Sequence, residues 1–291
     1  MPITGPRDVW DIAAELGEGP VWVERDRALW FVDIKKRQIH RYDPADGSKR
    51  SWDSPEQVGF VFPAQRGGFI AGLESGLHHF DATSGAFELI VEVEPEIPTN
   101  RLNDGVVDPL GRLWFGTMDN GERTKTGAFY GFAGGRLTRT AIDGIAITNG
   151  PAVSPDGQLL YLVDTLRGSI ESAEIRDDGS LGQPRPFVRI DPREGHPDGP
   201  TVDSAGCVWI SLYAGREARR YSSEGKLIER VSFPVTNITK IAFGGDDLRT
   251  AFATTARQLL SAEEIARQPQ IGDLFAFRVD VPGIPCPLVR W

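Results

Sequence analysis

The sequence predicts an all-β fold, a six-bladed β-propeller, from three observations: a long repeat, short alternating strands, and an almost complete lack of helix signals. Related strand segments recur along the 291 residues, with separations of 39, 45, 47, 48 and 43 residues between their central aromatic side chains. Repeats of about 40–50 residues that each contain several strands are typical of propeller blades. The aromatic side chains are Trp30, Phe69, Trp114, Tyr161, Trp209 and Phe252.

Each repeat continues with further segments of strand type. RALWFVD around Trp30 is followed by QIHRYDPADG, whose alternation ends in a turn, and then by KRSW. Asp-Gly and Gly turns between alternating segments are typical of antiparallel hairpins. We therefore expect four-stranded antiparallel blades and a single domain that spans residues 1–291.

Closure of the ring requires one terminus to complete the last blade, because closure protects the edges of the sheets. Trp10–Leu16 alternates weakly and precedes the first repeat, so this N-terminal strand is expected to pair with blade six. The clear helix signal is a capping box at Ser261–Glu264, which predicts a short helix that ends near Gln268. A pair of β-sandwiches is the alternative, and the regular count of six repeats disfavours it.

Composition and charge exclude several classes of protein. Charged residues make up 25% and hydrophobic residues 40%, which is ordinary for a globular protein. The net charge of −9 argues against nucleic acid and anionic membranes as partners, since both require a basic surface. No apolar run approaches the roughly 20 residues that span a bilayer, and MPITGPRDVW lacks the pattern of a secretory signal. We expect a cytoplasmic protein, either a monomer or a weak homo-oligomer.

The two cysteines, Cys207 and Cys286, do not make a disulfide framework. Cys207 lies beside Val208 and Trp209 in a strand-like run, which favours a small core residue. A nucleophilic role is the weaker interpretation, because no histidine lies near it in sequence to activate it.

Four polar residues share one position relative to the strand aromatics. Glu18 and Asn149 precede their aromatic residue by 12 positions, and Asn103 and Asp198 precede theirs by 11. The innermost strands of a propeller line its central channel. Residues that lie at the same position in each repeat should therefore gather at one mouth of the channel.

Three of the four also have matching contexts, namely GEGPVW, TNGPAVSPDG and PDGPTVDSAG. In each, an oxygen-bearing side chain precedes Gly-Pro; Gly permits a tight turn, and Pro suits a strand start that needs no ladder bond. Taken singly, each is an ordinary turn or solvated loop residue, but three in one phase predict a shared site.

The shared residues, Glu18, Asn149 and Asp198, make an oxygen-rich ligand set. Such a set suits Ca²⁺, Mg²⁺ or Mn²⁺, and Fe²⁺ or Zn²⁺ are possible. Three ligands leave positions open for water and substrate, which is typical of a catalytic metal. His196, two residues before Asp198, is either a loop residue or a participant in catalysis. The motifs of zinc proteases, serine hydrolases and P-loop enzymes are absent.

Four stretches resemble the regucalcin/gluconolactonase family, also called the senescence-marker-protein and luciferin-regenerating family. They are LGEGPVW, RLNDGVVDPLGRLWFGTM, ITNGPAVSPDGQLLYLVDT and the pattern PDG-x-x-VD-x-x-G-x-x-W that contains Asp198, and the resemblance covers nearly the whole chain. It implies a six-bladed propeller that hydrolyses a sugar lactone with one divalent cation.

The resemblance also implies roles for single residues. It places the metal ligands on Glu18, Asn149 and Asp198, of which Asp198 would also be catalytic as a general base. It places substrate binding on Arg101 and Asn103. It further suggests Glu122, in a loop that differs from the family pattern, as a substrate-binding residue. Asp104 is expected to contact either solvent or a neighbouring backbone amide.

The stretches FVDIKKRQIHRYDP and NITKIAFGGDDLRTAFATTAR look closest to the bacterial pentonolactonase branch, which includes xylonolactonases and arabinonolactonases. This resemblance implies a pentonolactone such as xylonolactone or arabinonolactone as substrate, with gluconolactone possible, and ferrous iron as one candidate metal. A calcium-binding or regulatory propeller and a partner-binding propeller, both without turnover, are the alternatives. A hydrolase of aryl esters or phosphotriesters is a related possibility.

Overall fold

The computed structural model describes residues 5–291, so part of the N-terminal stretch used for the secretory-signal expectation lies outside it. The described residues form six four-stranded sheets in which every neighbouring pair of strands is antiparallel. The first strands of adjacent blades contact one another and form the inner ring. The predicted six-bladed β-propeller is confirmed.

Blades one to five follow chain order from the innermost to the outermost strand. Blade one contains β2 (Gly17–Val23), β3 (Ala28–Asp33), β4 (Gln38–Tyr42) and β5 (Lys49–Asp53), and blade two contains β6 (Val58–Pro63), β7 (Phe69–Leu73), β8 (Gly76–Asp81) and β9 (Ala86–Glu92). Blade three contains β10 (Asn100–Val107), β11 (Leu113–Asp119), β12 (Gly127–Ala133) and β13 (Arg136–Ile145). Blade four contains β14 (Thr148–Val153), β15 (Leu159–Asp164), β16 (Ser169–Glu174) and β17 (Arg185–Arg189). Blade five contains β18 (His196–Val202), β19 (Val208–Tyr213), β20 (Glu217–Tyr221) and β21 (Leu227–Ser232).

Blade six combines β22 (Ile238–Gly244), β23 (Thr250–Thr255) and β24 (Leu274–Arg278) with β1 (Arg7–Trp10), which pairs with β24. An N-terminal strand therefore closes the ring as expected, but its predicted bounds, Trp10–Leu16, are wrong. Residues 11–16 leave the ladder because side chains bind their amides: the Asp33 carboxylate accepts from Glu15 and Leu16 at 2.8 and 3.1 Å. Leu16 keeps only an isolated bridge to Ala256.

The predicted helix is α1 (Ala262–Arg267), which Ser261 caps through the expected capping box with Glu264. Among residues 5–291, no helix is long and apolar enough to cross a bilayer.

Aromatic side chains join neighbouring blades. The six repeat aromatics are all buried. The Trp30 ring packs 4.2 Å from that of Phe69 across blades one and two, and Trp22 stacks 6.0 Å from Phe252 across blades one and six. Cys207 is also buried, and burial raises the pKa of its thiol, which fits the expected core role rather than a reactive one.

The turns that follow β10 and β18 contain the same aspartate arrangement. Asp108 accepts from the amides of Leu110 and Arg112 and from the Trp114 indole, at 2.9, 3.0 and 3.0 Å. Asp203 bonds in the same way to the indole of Trp209, at 3.1 Å. Each carboxylate thus closes its turn and fixes the indole between two blades, which explains the D-x-x-G-x-x-W pattern.

Residues 279–291 form a tail across the end of the channel where the innermost strands finish. Ile284–Pro287 line a cavity of about 130 Å³ there, together with the last residues of those strands. The tail is bound to several blades: the Ser204 amide donates to Pro282 at 2.9 Å, and the amide of Val289 donates to Pro63 at 2.9 Å. Val289 itself is fully buried.

Candidate active site at one mouth of the channel

The opposite mouth, where the innermost strands begin, holds a cavity of about 330 Å³. All the residues selected from sequence as metal-binding or substrate-binding line this cavity. They are Glu18 on β2, Arg101 and Asn103 on β10, Glu122 after β11, Asn149 on β14 and Asp198 on β18.

Irregular strand starts position these side chains. Each innermost strand loses register with its neighbour within its first few residues, and such β-bulges re-aim side chains next to active sites. The shifts fall between Glu18 and Val21, Val58 and Phe60, Leu102 and Gly105, Asn149 and Ala152, Pro197 and Pro200, and Ile238 and Lys240.

A Gly-Pro step lies at three of these bulges, in β2, β14 and β18. Gly19 and Gly150 have φ of +53° and +73°, in the left-handed region that favours glycine. A Cβ at Gly199 would lie 2.5 Å from Lys240 Cβ, so this turn requires a residue without a side chain. The amides of Gly19 and Gly199 donate back to the Glu18 and Asp198 carboxylates at 3.0 and 2.9 Å, which orients both groups.

Both carboxylates are buried and electrostatically coupled. Burial, followed by the charge of Asp104, raises the pKa of Glu18 to about 8. Burial, followed by the charge of Glu18, raises the pKa of Asp198 well above its usual range. Within residues 5–291 neither forms an ion pair, since the nearby ammonium of Lys240 contacts Asp104 instead, at 2.6 Å.

This donor set fits a divalent cation. Buried like charges are unfavourable unless a cation compensates them, and hard divalent cations prefer carboxylate and amide oxygens. In the described chain no three His, Cys, Asp or Glu side chains form a metal-binding group. The fit therefore depends on Asn149 as the third donor beside Glu18 and Asp198.

A hydrogen-bond chain connects the site across three blades. Arg101 Nη1 donates to Asn103 Oδ1 at 2.6 Å, and Asn103 Nδ2 donates to Asn149 Oδ1 at 3.1 Å. Asn149 Nδ2 donates to Thr165 Oγ1 at 2.9 Å, and Thr165 donates to the carbonyl of Pro197 at 3.0 Å. Because Pro197 precedes Asp198, the chain fixes the amide of Asn149 relative to blades three and five.

Arg101 is only 2% exposed. Its Nε donates to Asn120 Oδ1 at 3.1 Å, while burial lowers its pKa to about 10. Its Nη2 has no hydrogen-bond partner among the described residues, so this nitrogen is available to a ligand. Glu122 lies at the cavity mouth and accepts from Gln258 Nε2 at 2.9 Å.

Lys240 is a buried residue near the site that sequence reasoning missed. Its ammonium pairs with Asp104, which also accepts from the Gly150 amide at 3.1 Å. Asp104 thus contacts a backbone amide, one of its two expected partners. Lys240 precedes Phe252 by 12 residues, the same spacing that separates Glu18 from Trp30. This shared spacing is the sequence signal that could have identified Lys240.

Other lining residues had no repeated pattern that could have revealed them. Tyr213 reaches the cavity from the end of β19 and Gln258 from the loop after β23, and the Tyr213 hydroxyl donates to the Gln258 carbonyl at 2.6 Å. His196 also lines the cavity, and its Nδ1 is buried without a partner among residues 5–291.

Fold and site together define a six-bladed propeller with an oxygen-rich ligand pocket at one end of its axis. Residues 16–257 match the SMP-30/Gluconolactonase/LRE-like family, and the chain belongs to this family.

Among its relatives are a 6-deoxy-6-sulfogluconolactonase of Pseudomonas putida, 37% identical over 94% of each chain, and an L-arabinolactonase of Azospirillum brasilense. The latter is 38% identical over 94% of this chain and 92% of its own. A calcium-binding regucalcin from Agrobacterium tumefaciens has a TM-score of 0.95 at 29% identity and covers 100% of this chain and 99% of its own.

Proposed function

We propose that the protein is a divalent-metal-dependent lactonase that hydrolyses an aldonolactone, with a pentonolactone favoured, to the aldonic acid. The observation that carries the proposal is the cavity that Glu18, Asn149 and Asp198 share with Arg101 and Asn103. Two relatives that each align over most of the chain are named for sugar lactones, a sulfogluconolactone and arabinolactone.

Glu18, Asn149 and Asp198 would hold the cation, which is Fe²⁺, Ca²⁺, Zn²⁺, Mn²⁺ or Mg²⁺. When bound, it supplies Lewis-acid polarisation of the ester carbonyl. The regucalcin of similar structure is described as calcium-binding, which supports a divalent cation.

The chain's own residues would move the proton and hold the sugar. Asp198 would accept a proton as water attacks the carbonyl carbon, and would return it to the ring oxygen when the ester C–O bond breaks. Arg101 would donate from Nη2 to a sugar oxygen and fix the ring. Asn103 already donates both its protons, to Thr148 and Asn149. Its Oδ1 accepts one hydrogen bond, from Arg101 Nη1, so one lone pair would be left for a sugar hydroxyl.

The test begins with metal-free protein. Each cation is added separately, and thermal unfolding is recorded beside acid release from arabinono-γ-lactone, xylono-γ-lactone and glucono-δ-lactone. A bound cation at about 100 times its Kd should stabilise the fold by roughly 2.7 kcal/mol. Glu18→Gln should lose most of this stabilisation and the acid release, whereas exposed Glu88→Gln should keep both.

The outcomes separate the candidate functions. Cation-dependent stabilisation without opening of any lactone would favour a calcium-binding or regulatory propeller, which the similarity to regucalcin makes the second candidate. Lactone opening that survives complete metal removal would contradict the metal dependence.

A further inference from the structure

The cavity has two chemically different zones. Its floor carries the charged and amide groups described above. Its rim combines a few polar groups with apolar side chains from five different parts of the chain: Leu16, Met118, Ile147, Leu166 and Leu259. A substrate with hydroxyls on every carbon would match the floor but not the rim.

Two rim leucines are exposed to solvent. Leu166 is 50% exposed and Leu259 is 76% exposed, on loops of blades four and six. Single exposed leucines are common on proteins. Here, however, two of them converge on the mouth of one cavity, where a ligand would cover both.

The backbone at Leu259 strengthens this interpretation. Leu259 has φ of +65°, a left-handed conformation that is unfavourable for leucine. Asn or Gly would suit this position better if only the turn mattered. A branched apolar side chain is thus present at the mouth against its local preference.

The polar groups of the rim are already engaged. Glu122 accepts from Gln258 Nε2, and the Tyr213 hydroxyl donates to the Gln258 carbonyl, at 2.9 and 2.6 Å. Asn237 donates to Ala256 at 3.1 Å. Gln258 Oε1 and His196 Nδ1 have no partner among the described residues, but neither atom is exposed to solvent. Most polar groups of the rim are therefore paired with one another, and the Glu122 carboxylate is the group that keeps acceptor positions open.

We infer that the site selects lactones whose exocyclic substituent is apolar, a methyl or short alkyl group, over those with a hydroxymethyl or anionic group. This inference rests on the proposed lactonase function and specifies its substrate class. The ring and its hydroxyls would contact Arg101 and Asn103, while the substituent would pack against Leu166 and Leu259. An exocyclic hydroxyl or carboxylate that packs against Leu166 and Leu259 would lose water without gaining a partner from them, and a carboxylate would also be repelled by Glu122.

Three lactones that share one ring test the inference: arabinono-γ-lactone, its analogue with a methyl in place of the hydroxymethyl group, and its carboxylate analogue. Acid release is measured with parent protein and with Leu259→Asn, Leu166→Asn and the control Leu110→Asn. Asn tolerates a left-handed backbone, so Leu259→Asn should fold normally. Leu110 is 61% exposed and lies outside this cavity.

The parent should show a kcat/KM roughly tenfold higher for the methyl lactone than for the hydroxymethyl lactone, and the lowest value for the carboxylate. The two rim variants should reduce that ratio towards one, mainly through KM, while Leu110→Asn leaves it unchanged. Equal rates for all three lactones, or a ratio that the rim variants do not alter, would overturn the substrate class and leave the lactonase proposal intact. Failure to open any lactone in the presence of each cation would overturn both.

Discussion

The two ends of the channel are built from the same strands and yet differ in almost every property. At the end where β2, β10, β14 and β18 begin, buried carboxylates and amides line an open cavity. At the end where these strands finish, valines and prolines face the C-terminal tail. The contrast shows that a few residues at each strand start can carry chemistry while the rest of the strand holds the ring together.

The largest effect is expected from a substitution at the polar end of the channel. Asp198→Ala should lower kcat/KM for lactones about 1000-fold, because it removes the proton acceptor. In metal-free protein the melting temperature should not fall, since a buried carboxylate beside Glu18 is unfavourable without a cation. The matched control, Asp177→Ala, alters an exposed carboxylate outside the cavity and should leave activity unchanged. A purified Asp198→Ala protein that opens lactones at the parental rate would refute the assigned role.

The next largest effect is expected at the ion pair of Lys240 and Asp104, which lies between the two ends of the channel. Lys240→Met should destabilise the fold by about 3 kcal/mol, because it leaves the buried carboxylate of Asp104 without its ion-pair partner. The double variant Lys240→Met/Asp104→Asn should recover part of this loss, and urea unfolding of both proteins measures the difference. A single variant within about 0.5 kcal/mol of the parent would show that the pair contributes little.

The smallest effect concerns the apolar end. Val289→Ala should cost about 2 kcal/mol of folding stability, because Val289 is the tail residue whose side chain is fully buried. Its neighbour Leu288 is 42% exposed, so Leu288→Ala should change stability far less. Neither should change kcat at temperatures where the protein is folded. A loss of kcat in Val289→Ala would show that the two ends are coupled rather than independent.

The repeat made much of this architecture predictable. The aromatic spacing reveals the blades, and the Gly-Pro contexts reveal Glu18, Asn149 and Asp198, because the same local turn requires the same residues each time. Lys240 has the same phase but no Gly-Pro step, so the context that exposed the others did not mark it. The misplaced N-terminal strand has a similar cause, since the long-range bonds of Asp33 leave no trace in local alternation.

The Pro-rich tail shows the limit of local reasoning most clearly. Residues 279–291 have neither strand nor helix periodicity, and their place follows from bonds to Ser204, Pro63 and Gly111 in three different blades. Gln258 is similar, since it lies in the irregular loop between β23 and α1, where its carbonyl accepts from the Tyr213 hydroxyl of blade five.

The tail across the far mouth has a consequence for ligand entry and product release. The polar cavity and the cavity that Ile284–Pro287 line are separate and share no lining residue, so a ligand in the polar cavity has its entrance as its exit. An opened acid would leave past the same leucines that admitted the lactone, so those side chains would influence both arrival and departure.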